Sequence, residues 1–140
     1  MAEIAWISLE KPTPEKEYVA LLSYLPLRSL WGLPQFFYYI RRIQSQLQTT
    51  RGVLGYSLLA HVLAKRFWTL SVWENEVVLT DFIHALPHRE AMISLRRYMA
   101  GTEFTRWQIK GAAVPPTWRE AMERFNADES EHSSTANIHG

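Results

Sequence analysis

His88 is the residue of this chain best placed to do chemistry. It follows Pro87 and falls at spacings of four, three and four residues with Met92, Leu95 and Met99, which predicts one inward-facing helical stripe. The first turn of a helix disfavours a positive charge, so the imidazole should be neutral. A neutral imidazole can accept a proton, donate a hydrogen bond to a substrate oxygen or ligate iron. The alternative is a buried histidine whose partner is a backbone carbonyl or a hydroxyl.

Aromatic and hydroxyl side chains elsewhere in the sequence could line a pocket beside this histidine. Mainly apolar pockets use a few oriented polar groups, and a buried tyrosine needs a partner for its hydroxyl. The candidate substrate-binding residues are Tyr24, Tyr56, Thr69, Ser71, Trp73 and Phe82. The alternative for Trp73 is core packing, and for Thr69 and Ser71 it is a hydroxyl that bonds locally.

The residue types exclude or disfavour several other chemistries. The chain has no cysteine, which excludes disulfides, thiolate nucleophiles and thiolate metal sites. The sequence contains no Ser-His-Asp order and no phosphate loop, and its one His-x-x-x-His spacing, His84 to His88, is interrupted by Pro87. Glu74 and Asp81 are not arranged as a carboxylate couple, and His84 lies off the inward stripe of its predicted helix. We therefore expect no metal site.

Length and composition are typical of one globular domain. The 140 residues include six Trp, six Tyr and six Phe, which indicates a large core or rings buried against a ligand or partner. The formal charge is +1, or +4 without the acidic last fourteen residues, and the arginines are scattered, so nucleic-acid binding is not predicted. No apolar run reaches the ~18–20 residues of a membrane span, and acidic residues interrupt the start of the chain where a secretory signal would need an apolar run. We expect a soluble, cytoplasmic protein.

Apolar periodicity and capping signals divide the chain into four strands and three helical segments. The predicted strands are 18–27, 53–60, 67–73 and 102–109. The predicted helices are 34–48, a second that Asn75 caps and Pro87 breaks and restarts, and a third with a capping box of Thr117 and Glu120. We expect an irregular leader at 1–16, a single domain at 17–126 and a disordered polar tail at 127–140.

The order strand, helix, strand, strand, helix, strand predicts an α+β, ferredoxin-like βαββαβ sandwich with an extra C-terminal helix. A sheet with one wet face would alternate apolar and polar residues, but Leu70 and Trp73 show apolar residues at both parities of one strand. Both faces must therefore be covered. The simplest cover is the sheet of a symmetric partner, so we expect a homodimer that pairs sheet to sheet as a dimeric α/β barrel.

The segment after the hairpin carries a resemblance to a known superfamily. The strand ending in Trp73, the cap Glu74-Asn75-Glu76, then Phe82 and the run His88-Arg89-Glu90-Ala91-Met92 together resemble the dimeric α/β-barrel superfamily. The resemblance is to the antibiotic biosynthesis monooxygenase-like and spheroidene monooxygenase-like proteins, and it covers about 17–110. It implies the same fold, a homodimer and a cavity for a small molecule.

The haem-degrading members of the superfamily have a Trp on this helix, a His further along it and an Asn on the first strand. The aligned positions hold Phe82 and Met92, and strand 18–27 has no Asn. Haem degradation is therefore not predicted, and no cofactor is predicted, although haem binding stays open. The expected function is a cofactor-free or haem-assisted monooxygenase-like enzyme for an apolar aromatic or isoprenoid substrate. The alternative is a non-catalytic ligand-binding protein or a structural dimer.

Overall fold

The computed structural model describes the backbone of residues 2–139 and the side chains of residues 2–128. The strands are β1 Ala2–Ser8, β2 Glu17–Pro26, β3 Val53–His61, β4 Arg66–Trp73 and β5 Glu103–Lys110. The α-helices are α1 Leu33–Thr49, α2 Glu76–His84, α3 His88–Leu95 and α4 Trp118–His139. Short 3-10 turns lie at Leu30–Gly32, Arg96–Tyr98 and Gly111–Ala113. Within the described part of the chain, none of the helices has the length and apolar character that a membrane crossing requires.

The five strands form one antiparallel sheet in the order β1-β3-β4-β2-β5. The last four strands have the arrangement of a split βαβ unit, in which β2 and β4 are central and β3 and β5 flank them. The predicted hairpin is the pair β3 and β4, whose register runs from Val53 opposite Trp73 to His61 opposite Arg66. The predicted ferredoxin-like α+β fold is confirmed.

The predicted irregular leader is wrong over residues Ala2–Ser8, which form the edge strand β1. This strand pairs with β3 from Ala2 opposite Ala60 to Ser8 opposite Gly55. Gly55 makes room for the Trp6 ring, because a Cβ added at Gly55 would lie 2.5 Å from that ring. The strand therefore extends the sheet by using a close approach at a glycine, a pairing that the local sequence of the leader does not reveal.

Helices α1, α2 and α3 cover one face of the sheet. On α1 the inward stripe includes Phe36, whose ring centroid lies 4.5 Å from that of Phe67 on β4. The predicted cap of α2 is confirmed, since Asn75 Oδ1 accepts a hydrogen bond from the Val78 amide at 2.9 Å. Leu79 then lies fully inside. Amphipathic packing on the sheet thus accounts for both helices.

The other face of the sheet is covered by the chain's own C-terminal helix. Helix α4 packs Ala121 and Phe125 into the core that β2, β4 and β5 form on this side. Its Trp118 indole N–H donates to the Ser57 hydroxyl on β3 at 3.1 Å. Leu70, one of the residues that required a cover, is fully buried in the single chain. The expectation that a partner's sheet supplies this cover is corrected.

Because α4 occupies this face, the apolar residues at both parities of the strands no longer argue for a partner's sheet. Pairing as a dimeric α/β barrel stays a prediction, and light scattering tests it because the dimer would have twice the chain mass of 16.3 kDa. The disordered tail predicted for 127–140 is also corrected over residues 127–139, whose backbone continues α4. The last residue of that prediction, Gly140, lies outside the described residues.

The Phe125→Ala variant tests the docking of α4. The ring is buried and lies 5.3 Å from the Tyr24 ring, so its removal should lower the free energy of unfolding by about 3 kcal/mol. Urea denaturation followed by tryptophan fluorescence measures the change. Asn126→Ala on the exposed side of the same helix is the control and should change stability by less than about 0.5 kcal/mol. Equal stabilities of the two variants would show that α4 does not pack on the sheet.

Candidate functional site

A cavity of about 550 Å³ lies between the sheet and helices α1, α2 and α3. Its wall is mainly apolar, and its buried part includes Leu21, Phe36 and Leu79. The exposed lining residues Arg96 and Phe104 lie where the end of α3 meets the start of β5, and they mark the mouth. A mainly apolar cleft of this size with a few polar groups is typical of small-molecule sites.

Six of the seven predicted site residues line this cavity. They are Tyr56, Thr69, Ser71, Trp73, Phe82 and His88. Strands β3 and β4 contribute the first four, and the broken helix α2–α3 contributes the last two. The structure therefore brings together on one surface side chains that are separated by more than thirty positions in the sequence.

Tyr24 is not part of this cavity and is removed from the candidate site. Its neighbours Ser23 and Leu25 line the cavity, and the alternation of a strand sends Tyr24 to the opposite face. There its ring packs 5.2 Å from Trp68 and 5.3 Å from Phe125 on α4. Sequence analysis had no means of choosing the parity, because β2 is apolar on both faces.

The His88 ring is held by a backbone hydrogen bond. Its Nδ1 lies 3.2 Å from the carbonyl oxygen of Ile83, which can only accept, so Nδ1 carries the hydrogen. The other nitrogen, Nε2, then has a lone pair and is an acceptor. The ring also packs against Phe82 with centroids 5.4 Å apart. This arrangement leaves Nε2 as the proton-accepting atom of a histidine in the cavity wall.

Burial lowers the pKa of His88 below its ordinary value, and the hydrogen bond to the Ile83 carbonyl opposes that shift only in part. The imidazole is therefore neutral at physiological pH, as the position in the first turn of α3 predicts. A neutral ring with a bonded Nδ1–H and a lone pair on Nε2 is the form that a general base requires.

Trp73 and Ser71 form a second polar element of the cavity wall. The indole N–H of Trp73 donates to the Ser71 hydroxyl oxygen at 2.8 Å, which leaves the hydroxyl hydrogen of Ser71 able to donate. The Trp73 ring packs on Phe82 at 4.9 Å between centroids. The hydroxyls of Tyr56 and Thr69 make no hydrogen bond to any residue within the described part of the chain. They are donors that a ligand could engage.

Gln46 on α1 positions His88, and sequence analysis did not single it out. Its side-chain oxygen accepts from the main-chain N–H of His88 at 3.2 Å, and its Nε2 donates to the Phe82 carbonyl at 3.4 Å. One amide thus bridges the end of α2 and the start of α3. Gln44, on the same helix, also lines the cavity. A polar residue beside a helical stripe gives no sign of the tertiary partner that it will meet.

Comparison with known proteins identifies the fold. No protein-family profile matches the chain, and no curated protein matches its sequence. SnoaB, a cofactor-independent oxygenase from Streptomyces nogalater, matches in structure with a TM-score of 0.57 at 12% identity, covering 72% of this chain and 99% of SnoaB. A protein from Nitrosomonas europaea, provisionally named an antibiotic biosynthesis monooxygenase, matches with a TM-score of 0.58 at 11% identity, covering 64% of this chain and 95% of that one.

The chain has the fold of the antibiotic biosynthesis monooxygenase-like proteins. A protein from Fusobacterium nucleatum, provisionally named a monooxygenase, also has this fold, with a TM-score of 0.64 at 11% identity over 75% of this chain and 48% of that one. The resemblance drawn from the segment around Trp73 and His88 is confirmed for the fold. Identities this low show the fold alone, so the reaction must be argued from the cavity.

Phe82 and Met92, which the resemblance aligns with the Trp and His of the haem-degrading members, both line the cavity. Neither side chain has a nitrogen donor. Within the described residues there is no group of three or more His, Asp or Glu side chains that could hold a metal ion. We therefore derive no chemical step through haem or a metal.

The lowered pKa of His88 predicts a specific pH dependence of stability. In the unfolded chain His88 has the ordinary histidine pKa of ~6.5. Below that pH the unfolded chain therefore binds a proton at His88 more readily than the folded chain does. The stability that neutral His88 contributes is therefore complete above pH 6.5 and is lost as the pH falls toward the lower folded pKa. Relative to His88→Gln, the free energy of unfolding of the wild type should fall by up to about 1.4 kcal/mol per pH unit in that window.

Urea denaturation between pH 7.5 and pH 5 measures the difference. His84→Gln is the matched control, because His84 ends α2 and is exposed. A difference between wild type and His88→Gln that does not change with pH would show that His88 is solvated like a free histidine.

Proposed function

We propose that this chain is a cofactor-independent monooxygenase that acts on an apolar aromatic substrate bearing a phenolic hydroxyl. The observation that carries the proposal is the position of His88, which lines an apolar cavity of about 550 Å³ with its Nδ1 bonded to the Ile83 carbonyl, so that Nε2 is left as the acceptor. A base in such a cavity suits the ionisation of a weakly acidic hydroxyl. The fold that this chain shares with SnoaB, a cofactor-independent oxygenase, supports the same reaction class.

In the proposed reaction His88 Nε2 removes the phenolic proton. The resulting phenolate is electron-rich enough to transfer an electron to O₂, and recombination forms a carbon–oxygen bond at the ring carbon para to the phenolate oxygen. The imidazolium returns its proton to the terminal peroxide oxygen. Loss of that ring carbon's hydrogen with cleavage of the O–O bond releases water and leaves a quinone carbonyl. One oxygen atom of O₂ thus enters the product and the other enters water.

The remaining cavity groups assist by orientation and by exclusion of water. The hydrogen bond from His88 Nδ1–H to the Ile83 carbonyl fixes the tautomer and supports the imidazolium that forms during proton transfer. The hydroxyls of Tyr56, Thr69 and Ser71 are donors that can hold the phenolate oxygen. The apolar wall strengthens these interactions by lowering the local dielectric constant.

Two alternatives make different use of the same cavity. A structural protein would fill the cavity with its own side chains, whereas the volume of about 550 Å³ is large enough for a bicyclic or tricyclic ligand. A non-catalytic ligand-binding protein would bind the same ligand without consuming oxygen. An isoprenoid hydrocarbon has no acidic hydroxyl for His88 to ionise, so the base favours an aromatic phenol as the substrate.

Oxygen consumption with 1-naphthol tests the proposal. We expect the wild type to consume O₂ and to form 1,4-naphthoquinone, and mass spectrometry with ¹⁸O₂ should find one labelled oxygen in the quinone. His88→Gln should lower the rate by about 10²–10⁴-fold, because the amide can replace a hydrogen bond but cannot accept the proton. His84→Gln on α2 is the matched control and should retain the wild-type rate. Binding of 1-naphthol without oxygen consumption would favour the non-catalytic alternative.

A further inference from the structure

We infer that the natural ligand carries an anionic group, a carboxylate or a phosphate, which Arg28 and Arg96 bind at the mouth of the cavity. Both arginines line the cavity, and both are exposed. The inference rests on the proposed ligand-binding role of this cavity and names its substrate class. The ligand is then an amphipathic anion, with an apolar aromatic body inside and a charged group at the opening.

The local backbone brings the two arginines to one place. Arg28 follows the end of β2, and its main-chain N–H donates to the Tyr98 carbonyl at 2.8 Å. Its Nε donates to the Met99 carbonyl at 2.7 Å, which fixes the direction of the side chain and leaves the terminal guanidinium nitrogens for another partner. Arg96 begins the 3-10 turn Arg96–Tyr98 that supplies the Tyr98 carbonyl. The two arginines thus lie on segments that backbone hydrogen bonds hold together.

The charges of Arg28 and Arg96 are not compensated by the residues that the structure describes. Neither forms an ion pair within residues 2–128, whereas Arg42 pairs with Glu90 at 3.0 Å. No Asp or Glu is among the residues that line the cavity. Glu103, the acidic residue next to the mouth in sequence, is opposite Tyr24 in the β2–β5 register, and Tyr24 faces α4. The mouth of the cavity is therefore positively charged, whereas its interior is apolar. A guanidinium group can donate two parallel hydrogen bonds to a carboxylate or a phosphate.

The helix between the arginines and the candidate base sets the length of the ligand. Arg96 lies eight positions after His88, just beyond the end of α3, and at 1.5 Å per position the two residues are about 12 Å apart along the helix axis. The wall on this helix between them includes Ala91 and Leu95, which are buried and apolar. The anionic group should therefore lie about 12 Å from the hydroxyl that His88 ionises.

Isothermal titration with dodecanoate, dodecyl phosphate and dodecanol, all below their micellar concentrations, tests the inference without requiring turnover. Both anions should bind the wild type at least about tenfold more tightly than the neutral alcohol, because only they engage the guanidinium groups. The ratio of the dissociation constants of the two anions shows whether the site prefers a carboxylate or a phosphate. In Arg28→Gln/Arg96→Gln the preference for an anion should disappear while dodecanol binding stays unchanged. Arg89→Gln, an exposed position on α3 outside the cavity, is the matched control and should keep the preference.

Equal affinity of the wild type for dodecanoate and dodecanol, no binding of any of the three, or an anion preference that survives in the double variant would overturn the inference. Melting curves of the variants, which should match the wild type because both side chains are exposed, separate loss of binding from loss of folding. An anion preference without oxygen consumption on 1-naphthol would contradict the proposed reaction alone. Oxygen consumption that depends on His88 without an anion preference would contradict this inference alone.

Discussion

Burial of both faces of the sheet is the constraint on which the rest of the structure depends. Helices α1 to α3 cover one face and α4 covers the other, so strands β2, β3 and β4 place apolar side chains at both parities. Alternation along a strand then decides which residues reach the cavity. Trp73 and Ser71 face α1 to α3 and line the cavity, whereas Val72 between them lies in the core on the α4 side. On β2, Ser23 likewise lines the cavity, whereas Tyr24 lies on the α4 side.

The helical layer that lines the cavity is interrupted at Pro87. A continuous helix would have carried the stripe of α2 onward, whereas the break lets α3 start in a new direction with His88 in its first turn. Gln46 holds the two ends together, and the Ile83 carbonyl orients the imidazole. The hydrogen bonds of Gln46 and of the Ile83 carbonyl therefore fix the position of His88. Arg42, one turn before Gln46 on α1, forms an ion pair with Glu90 and so also ties α1 to α3.

Local signals in the sequence were sufficient to predict most of the helices and strands and much of the candidate site. The Asn75 cap, the break at Pro87 and the spacing from His88 to Leu95 predict what the structure shows, because capping and amphipathic periodicity act within a few residues. The edge strand β1 and the covering position of α4 were not predicted, because each depends on a distant partner. Gln46, Arg28 and Arg96 were missed for the same reason. Tyr24 was misplaced because an apolar strand buried on both faces carries no sign of its parity.

The proposed reaction depends most on His88 being a neutral base whose Nε2 is available to a ligand. Long-range ¹H–¹⁵N correlation spectra of the imidazole, recorded through a pH titration with and without 1-naphthol, test this directly. We predict the Nδ1–H tautomer, a pKa below the ordinary ~6.5, and a shift of the Nε2 resonance when 1-naphthol binds. An Nε2–H tautomer, a pKa at or above ~6.5, or an Nε2 resonance unaffected by bound 1-naphthol would contradict the account.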